Sequence, residues 1–302
     1  MEKYFARPAQ FQDFEAVFSL IQTHFQADYQ GEALFLAENL HQIWDACDLE
    51  TDTLVLVDPS GQIIAHAWFP SCVRKDMVVI EPLFFVLPAT RGLGLEAVLL
   101  EMVENGRRNV PPASQVVLQP MITNFPMQEA LHQAGYSFEL AFQKMVMTFE
   151  QMPAEKHPPA GLDIRPLHLG HDEQKAYEAD EEASLDKGYA HPIPFEAWAS
   201  RMLNDPELCF LAWDGAEVAG GVYTQIYEGQ GLVHHLGVRR PWRNRGVGAS
   251  LMHQTFAACF RTGLRKVWLE VDTQSPTRAH KLYEKLGMKM VGVRSYYQKV
   301  LA

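Results

Sequence analysis

The sequence repeats itself once, and this repetition constrains the fold more than any other feature of the chain. Three segments of the first half recur in the second half at a spacing of roughly 154 to 158 residues. The pairs are FARPAQ with DIRPLH, SGQIIAHAWF (60–69) with DGAEVAGGVY (214–223), and RGLGLEAVLLEMV (91–103) with RGVGASLMHQTFA (245–257). Solenoid repeats have much shorter periods, of about 20 to 50 residues. A duplicated domain explains the pattern better, and a chain of 302 residues is long enough for two domains of ordinary size.

A linker is predicted between the two copies. The segment QMPAEKHPPA, 151–160, holds three prolines among polar residues and has no hydrophobic period, which is typical of a connecting segment. We therefore expect one domain over 1–150 and a second over 161–302.

Strands and helices alternate along the second half. Cys209–Trp213 and Val218–Ile226 flank the turn signal Asp214-Gly215, which predicts a hairpin, and a further strand is predicted over Gly231–Val238. After residue 246, the apolar residues recur on one face of a helix: Val247, Leu251, Met252, Phe256, Cys259 and Phe260. A strand over 267–271, a helix from 277 to about 286 and a final strand follow. This alternation predicts an α/β layered domain with a mixed sheet.

The stretch PWRNRGVGAS, 241–250, places bare backbone and positive charge between a strand and a helix. A helix N-terminus carries about half a positive charge, and its amides point outward, so phosphate is the natural ligand for such a loop. Glycine at 246 and 248 would let a pyrophosphate approach those amides. Four arginines could reach further phosphate oxygens: Arg239, Arg240, Arg243 and Arg245.

Two common phosphate loops fit this stretch poorly. A dinucleotide-binding fingerprint needs a third glycine where Leu251 stands, and a Walker loop needs Gly-Lys-Ser/Thr. Arg243-Asn244-Arg245-Gly246-Val247-Gly248 resembles instead the acyl-CoA loop of the GNAT superfamily of N-acetyltransferases, Arg/Gln-x-x-Gly-x-Gly/Ala. VDTQSPTRAHKLYEKLGM, 271–288, resembles the second signature of that family, and the resemblance covers roughly 162–302.

The resemblance implies a fold and an activity. The fold would be two tandem GNAT-like α/β domains, each a mixed, mostly antiparallel sheet flanked by helices. The activity would be transfer of an acetyl group from acetyl-CoA, as a co-substrate, to a primary amine by direct attack in a ternary complex, with no metal. The acceptor would be a small-molecule or peptide amine that the sequence does not identify.

The resemblance also assigns roles to individual residues. The backbone of Leu236, Gly237 and Val238 would pair with the pantetheine arm, and Ser275 stands where the family often has an Asn near the cofactor. Tyr283 would protonate the departing thiolate, because a phenol still carries its proton at neutral pH. The amides of one continuous run would hold the pyrophosphate: Arg243, Asn244, Arg245, Gly246, Val247, Gly248 and Ala249.

Two residues are candidates for the general base that deprotonates the amine. His234 lies an even number of residues before Val238, on the face where some relatives carry a base, whereas the adjacent His235 is expected on the opposite face. Imidazole has a suitable pKa for this task. A strand histidine bonded within the core is an equally good interpretation of His234, and Glu228 is a weaker alternative as base.

Other polar residues suggest plainer roles. The acidic run over 172–182 falls where the acceptor binds in this family and could attract a cationic amine, but we favour a solvated helix face. His168 and His171 lack the spacing of a metal-binding motif, so no metal site is expected. The cysteines fall in neither signature, which gives no indication of a covalent acyl-enzyme.

The first half is interpreted as a degenerate copy. RGLG, 91–94, keeps both glycines, and NFPMQEALHQAGYSFE, 124–139, resembles the second signature. In this alignment Ala89 takes the position of Arg243, and Leu131 takes that of Tyr283. We expect 1–150 to be structural or to shape the acceptor site, an arrangement that resembles tandem GNAT proteins such as mycothiol synthase.

Composition limits the partners. A net charge of -11 and a pI near 5.5 disfavour a general nucleic-acid surface, which needs many Lys and Arg contacts. The four cysteines form no CxxC pair, and neither a secretory segment nor a membrane span is indicated. We therefore expect a cytoplasmic enzyme that binds no membrane and no nucleic acid. A CoA-binding sensor that has lost turnover is the competing hypothesis, and the intact Tyr283 position favours the enzyme.

Overall fold

A computed structural model of the chain describes residues 4–30, 36–74, 77–106, 115–154, 156–185 and 193–301. The chain divides into two compact units, Met1–Phe142 with Val291–Ala302, and Gln143–Met290. Residues 143–150 thus belong to the second unit, and the C-terminal residues from 291 belong to the first. The described residues of 151–160 form neither helix nor strand. The predicted boundaries, 1–150 and 161–302, stay a prediction about the two copies of the repeat.

The described residues form fifteen strands and nine α-helices. The strands are β1 (Phe5–Arg7), β2 (Thr53–Val57), β3 (Ile63–Trp68), β4 (Ser71–Arg74), β5 (Met77–Ile80), β6 (Leu83–Val86), β7 (Gln115–Leu118), β8 (Met121–Ile122), β9 (Ser137–Thr148), β10 (Asp163–Pro166), β11 (Phe210–Asp214), β12 (Glu217–Tyr227), β13 (Gln230–Val238), β14 (Lys266–Asp272) and β15 (Lys289–Leu301). The helices are α1 (Phe14–Asp28), α2 (Ala37–Ala46), α3 (Leu49–Asp52), α4 (Leu95–Asn105), α5 (Phe125–Gln133), α6 (Glu173–Ser184), α7 (Phe195–Met202), α8 (Val247–Arg261) and α9 (Ala279–Lys285). Short 3₁₀ turns over Pro88–Thr90 and Arg240–Trp242 precede α4 and α8.

The first unit is built on a mixed sheet. Strands β1, β2, β3 and β6 pair in that order and antiparallel, β6 pairs with β8 in parallel, and β8 pairs with the C-terminal strand β15 antiparallel. Its core includes Leu99 and Leu100 of α4 and Leu131 of α5, all of them buried. The long loop-and-helix connection between β6 and β8 is what parallel pairing requires.

The second unit repeats this architecture. Strands β10, β11, β12 and β13 pair antiparallel, and β11 and β12 form the predicted hairpin around Asp214-Gly215. β13 then pairs with β14 in parallel, Gly231 with Val267 and Leu232 with Trp268. The predicted mixed, mostly antiparallel sheet flanked by helices is confirmed.

Helix α8 is fixed to the sheet by its apolar face. Val247, Leu251, Met252, Phe256 and Cys259 are buried, as their helical spacing predicts. Burying such side chains stabilises the fold by roughly 1.5–3 kcal/mol for each large one. Since β13 ends at Val238 and α8 begins at Val247, the core packing holds the helix N-terminus beside the end of the strand.

Candidate functional site

The turn into α8 has the backbone geometry of an anion loop. Gly246 caps the helix with φ of 85°, and Asn244 also has a positive φ, of 60°. A left-handed conformation costs glycine nothing, whereas other residues adopt it rarely. Ser250 N donates the hydrogen bond of the first helical turn to Gly246 O, at 3.0 Å. The amides of Val247, Gly248 and Ala249 therefore precede the helical bonding and point outward from the N-terminus.

Arg243 holds this loop in place. Its Nε donates to Val238 O at 2.8 Å, and one of its terminal nitrogens donates to Ala183 O at 3.1 Å. The guanidinium thereby bridges the end of β13 and the end of α6. The sequence predicted a phosphate contact for this side chain, and the structure adds a positioning role through these two carbonyl oxygens.

A cavity of about 670 Å³ lies against the loop. It is lined by eleven of the residues predicted as site residues: Leu236, Gly237, Val238, Arg243, Asn244, Gly246, Val247, Gly248, Ala249, Ser275 and Tyr283. Two other predicted residues, Arg245 and His234, are not among its lining residues. The lining also includes residues outside the predicted set: Ala183, His235, Arg240, Trp242, Pro276, Thr277, Ala279 and Leu282.

Tyr283 reaches the cavity from α9. The residue is only 6% exposed, and burial raises the pKa of its phenol above the ordinary value. A phenol with a raised pKa stays protonated at neutral pH, so the Tyr283 hydroxyl carries a proton in this site.

A β-bulge lies at His234, and the next residue of β13, His235, is the histidine that enters the site. Tyr223 pairs with His235 and Thr224 pairs with Val233, so His234 is an extra residue in the strand. Simple alternation, from which His234 was expected to share the face of Val238, does not hold across this point. His235 lines the cavity, whereas burial and the positive charge of Arg201 lower the pKa of His234.

His235 is held by a buried carboxylate. Its Nδ1 lies 2.5 Å from Oδ1 of Asp180, and the indole N–H of Trp198 donates to Oδ2 of the same carboxylate at 2.9 Å. Asp180 is only 5% exposed. The absence of a side chain at Gly237 permits this approach, because a Cβ there would lie 3.0 Å from Asp180 Oδ1. An imidazole bonded to a carboxylate through Nδ1–H presents its lone pair at Nε2.

The acidic run of α6 is more than a solvated face. Asp172 is buried and accepts two hydrogen bonds from Arg165, at 2.6 and 3.1 Å, and Asp180 is buried too. Glu182 pairs with Arg239 at 2.7 Å. The expected solvated face is therefore wrong for Asp172 and Asp180. Since Arg239 also donates to the carbonyl of Val218, its charge is used within the fold.

Among the described residues, no group of three or more His, Cys, Asp and Glu side chains could hold a metal ion. None of the helices in the described ranges is long and apolar enough to cross a membrane.

The loop of the first unit corresponds to that of the second in a different register from the one predicted. Gly94 caps α4 with φ of 88°, as Gly246 caps α8. Nε of Arg91 donates to Val86 O at 3.4 Å, as Nε of Arg243 donates to Val238 O. Arg91, and not Ala89, therefore takes the position of Arg243. The expectation that the first copy has lost its arginine is wrong.

Comparisons with known proteins agree with this geometry. The Acetyltransferase (GNAT) family model matches residues 171–288. The chain is similar to a GCN5-related N-acetyltransferase from Sphaerobacter thermophilus whose structure is solved. The match covers 99% of this chain and 96% of that protein, at 30% identity and a TM-score of 0.78. The chain belongs to the GNAT family. A tandem GNAT protein from the clavulanic acid biosynthesis pathway shares the fold over 98% of both chains, with a TM-score of 0.60 at 13% identity.

A curated relative matches a shorter part of the chain. The mycothiol acetyltransferase of Geodermatophilus obscurus is 31% identical over 144 residues, which are 43% of this chain and 45% of the relative. The chain thus matches about half the length of the curated relatives. The tandem type of GNAT protein predicted from the repeat is confirmed by these findings together with the two-unit fold.

Proposed function

We propose that the second unit is an N-acetyltransferase that moves an acetyl group from acetyl-CoA to a primary amine. One observation carries the proposal: a single cavity brings together the N-terminus of α8, the end of β13 and the phenol of Tyr283. The first element suits a pyrophosphate, the second an amide-containing arm, and the third a leaving thiolate.

The residues present fit the cofactor. A pyrophosphate would accept hydrogen bonds from the amides of Val247, Gly248 and Ala249, and the positive end of the helix dipole favours its charge. In the part of the chain that the structure describes, β13 pairs with β14 only at Gly231 and Leu232. The backbone of Leu236–Val238 therefore faces the cavity near the strand end, where a pantetheine arm would pair with it.

Acetyl-CoA, when bound, supplies an activated thioester carbonyl. As the amine nitrogen bonds to the acyl carbon and the carbon–sulfur bond breaks, Tyr283 gives its proton to the thiolate sulfur. The amine must lose a proton to a base in the same cavity. His234 was predicted for that role, but it does not line the cavity, whereas His235 does.

We assign the base to Nε2 of His235, with Asp180 as its positioning residue. Nδ1 keeps its proton because it donates to Asp180, and the amine proton passes to Nε2. Asp180 then lies next to the imidazolium and stabilises its charge. Holding amine and thioester in one cavity makes their encounter effectively unimolecular, which contributes much of the rate.

Release of CoA thiol in the presence of primary amines tests the proposed function. The panel comprises a polyamine, an aminoglycoside, an amino acid, a peptide N-terminus and an amino sugar, each with acetyl-CoA and with a longer acyl-CoA. We expect at least one amine to support turnover, and we expect Tyr283→Phe to lose most of it while still binding the cofactor. Cofactor binding without turnover in any arm would favour the sensor hypothesis, and no binding would remove both.

A further inference from the structure

The two glycine loops of the chain share the same pattern of backbone hydrogen bonds. Trp242 N donates to Arg239 O in the second unit as Thr90 N donates to Leu87 O in the first. Each loop then reaches a left-handed glycine cap, after which the first helical bonds run from Ser250 N to Gly246 O and from Val98 N to Gly94 O. The first unit therefore keeps the complete backbone of a cofactor loop.

The position of Gly248 is occupied by Glu96 in the first unit. Counting from the caps, Glu96 is two residues after Gly94, as Gly248 is two residues after Gly246. Glu96 is only 3% exposed, and its Oε1 accepts a hydrogen bond from the amide of Gly92 at 3.1 Å. A negative carboxylate thus lies at the N-terminus of α4, where the helix dipole would otherwise attract an anion.

In the first unit, His24 takes the position that Ala183 holds in the second unit. Arg91 donates to His24 O, at 3.5 Å, as Arg243 donates to Ala183 O, at 3.1 Å. The imidazole Nδ1 of His24 accepts the amide hydrogen of Val86 at 3.2 Å. Val86 corresponds to Val238, which lines the cavity of the second unit, so in the first unit a side chain takes the amide at the strand end.

A buried polar network holds His24 there. Its Nε2 lies 3.0 Å from Oδ2 of Asp28, which also accepts from the hydroxyl of Thr123, and Arg91 pairs with the other carboxylate oxygen at 2.5 Å. Burial alone would raise the pKa of Asp28, but the bonds from His24, Thr123 and Arg91 outweigh it and lower that pKa. Any ligand entering at this point would have to separate these paired charges.

We propose that the cofactor cleft of the first unit is closed by its own side chains, with Glu96 in place of the pyrophosphate and His24 in place of the arm at the strand end. The chain accordingly binds one CoA, in the second unit. The loop and Arg91 of the first unit have a structural role, because both form hydrogen bonds within that unit.

Equilibrium dialysis with CoA tests the proposal directly. We expect wild type to saturate at one equivalent and Gly246→Glu, which places a carboxylate in the open loop, to bind none. Two equivalents in wild type, or one equivalent retained by Gly246→Glu, would overturn the proposal. Gly246 lies in the second unit, so this variant leaves the core of the first unit unchanged.

A second arm opens the closed cleft. In the Gly246→Glu background, Glu96→Ala with His24→Ala is expected to gain CoA affinity by about tenfold or more over the background variant. Glu96→Ala alone keeps the His24 network and serves where the double change unfolds the unit, as judged by circular dichroism. A folded, opened variant that binds CoA no better than its background would contradict the proposal, even if the wild-type chain bound no CoA.

Discussion

Replacing Asp180 by Asn changes one atom of the His235–Asp180 pair and should disable His235 as the general base. Asp180 accepts two hydrogen bonds, from Trp198 Nε1 at 2.9 Å and from His235 Nδ1 at 2.5 Å, whereas an asparagine offers one oxygen. The indole N–H can only donate, so the amide oxygen must face Trp198. The amide NH₂ then faces His235 and forces its proton from Nδ1 to Nε2. A base that already carries a proton at Nε2 cannot accept one from the amine.

The expected magnitude follows from this change of tautomer. General base catalysis contributes about 10²- to 10⁴-fold to rate, so kcat/KM for the amine should fall by that factor. Both hydrogen bonds persist in neutral form, which should lower the free energy of unfolding by only about 1 kcal/mol. The dissociation constant for acetyl-CoA should not change, because Asp180 does not line the cavity.

Steady-state thiol release, with the amine that supports turnover, measures the effect. Glu178→Gln is the matched control, because it removes the same charge from the exposed side of α6, where Glu178 accepts a hydrogen bond from Gln174. We expect the control to keep wild-type activity. An Asp180→Asn variant that is folded and retains most of the wild-type kcat/KM would refute the role of the pair.

Three further predictions concern the acid, the loop and the pH dependence of stability. Tyr283→Phe should lower kcat by about 10²- to 10³-fold without weakening acetyl-CoA binding, since it removes only the hydroxyl; steady-state kinetics and calorimetry measure the two effects, and an unchanged kcat would contradict the acid role. Arg243→Ala should lower the free energy of unfolding by about 2–4 kcal/mol, because two charge-assisted hydrogen bonds to carbonyl oxygens are lost. Urea unfolding measures this change, and a variant as stable as wild type would contradict the positioning role. Burial of Asp172 opposes ionisation, but bonds from Arg165 and the amide of His168 outweigh it and lower its pKa, so its contribution to stability is complete above the unfolded value near 3.9 and is lost as the pH falls through the folded value. Asp172→Asn should therefore be about 1–3 kcal/mol less stable than wild type at pH 7, with the difference shrinking below about pH 4; urea unfolding from pH 3 to 7 measures it, and a constant difference would exclude the linkage.

Much of this fold could be predicted from the sequence because its signals are local. The period of the apolar residues defined α8, and Asp214-Gly215 marked the hairpin that the structure confirms. The glycines at 246 and 248 indicated the loop because left-handed backbone and close approach need glycine.

The rest depended on relations that a sequence does not display. The cavity at the end of β13 is lined by consecutive residues from His235 to Val238, and therefore by both faces of the strand, so alternation alone could not identify His235. Asp180 is 55 residues away from His235 in the chain, and only the packing of α6 on the sheet joins them. In the first half, the alignment matched Gly92 and Gly94 to Gly246 and Gly248, which is two residues away from the structural register. In that register Gly94 corresponds to Gly246, and Glu96 stands in place of the second glycine.

A crystal structure of the complex with CoA tests the central claim most directly. We expect the pyrophosphate oxygens to lie within hydrogen-bond distance, about 2.7–3.2 Å, of the amides of Val247, Gly248 and Ala249, with the thiol beside Tyr283. CoA bound at another surface, or a pyrophosphate that contacts arginine side chains but none of these amides, would contradict the claim that the N-terminus of α8 is the cofactor site.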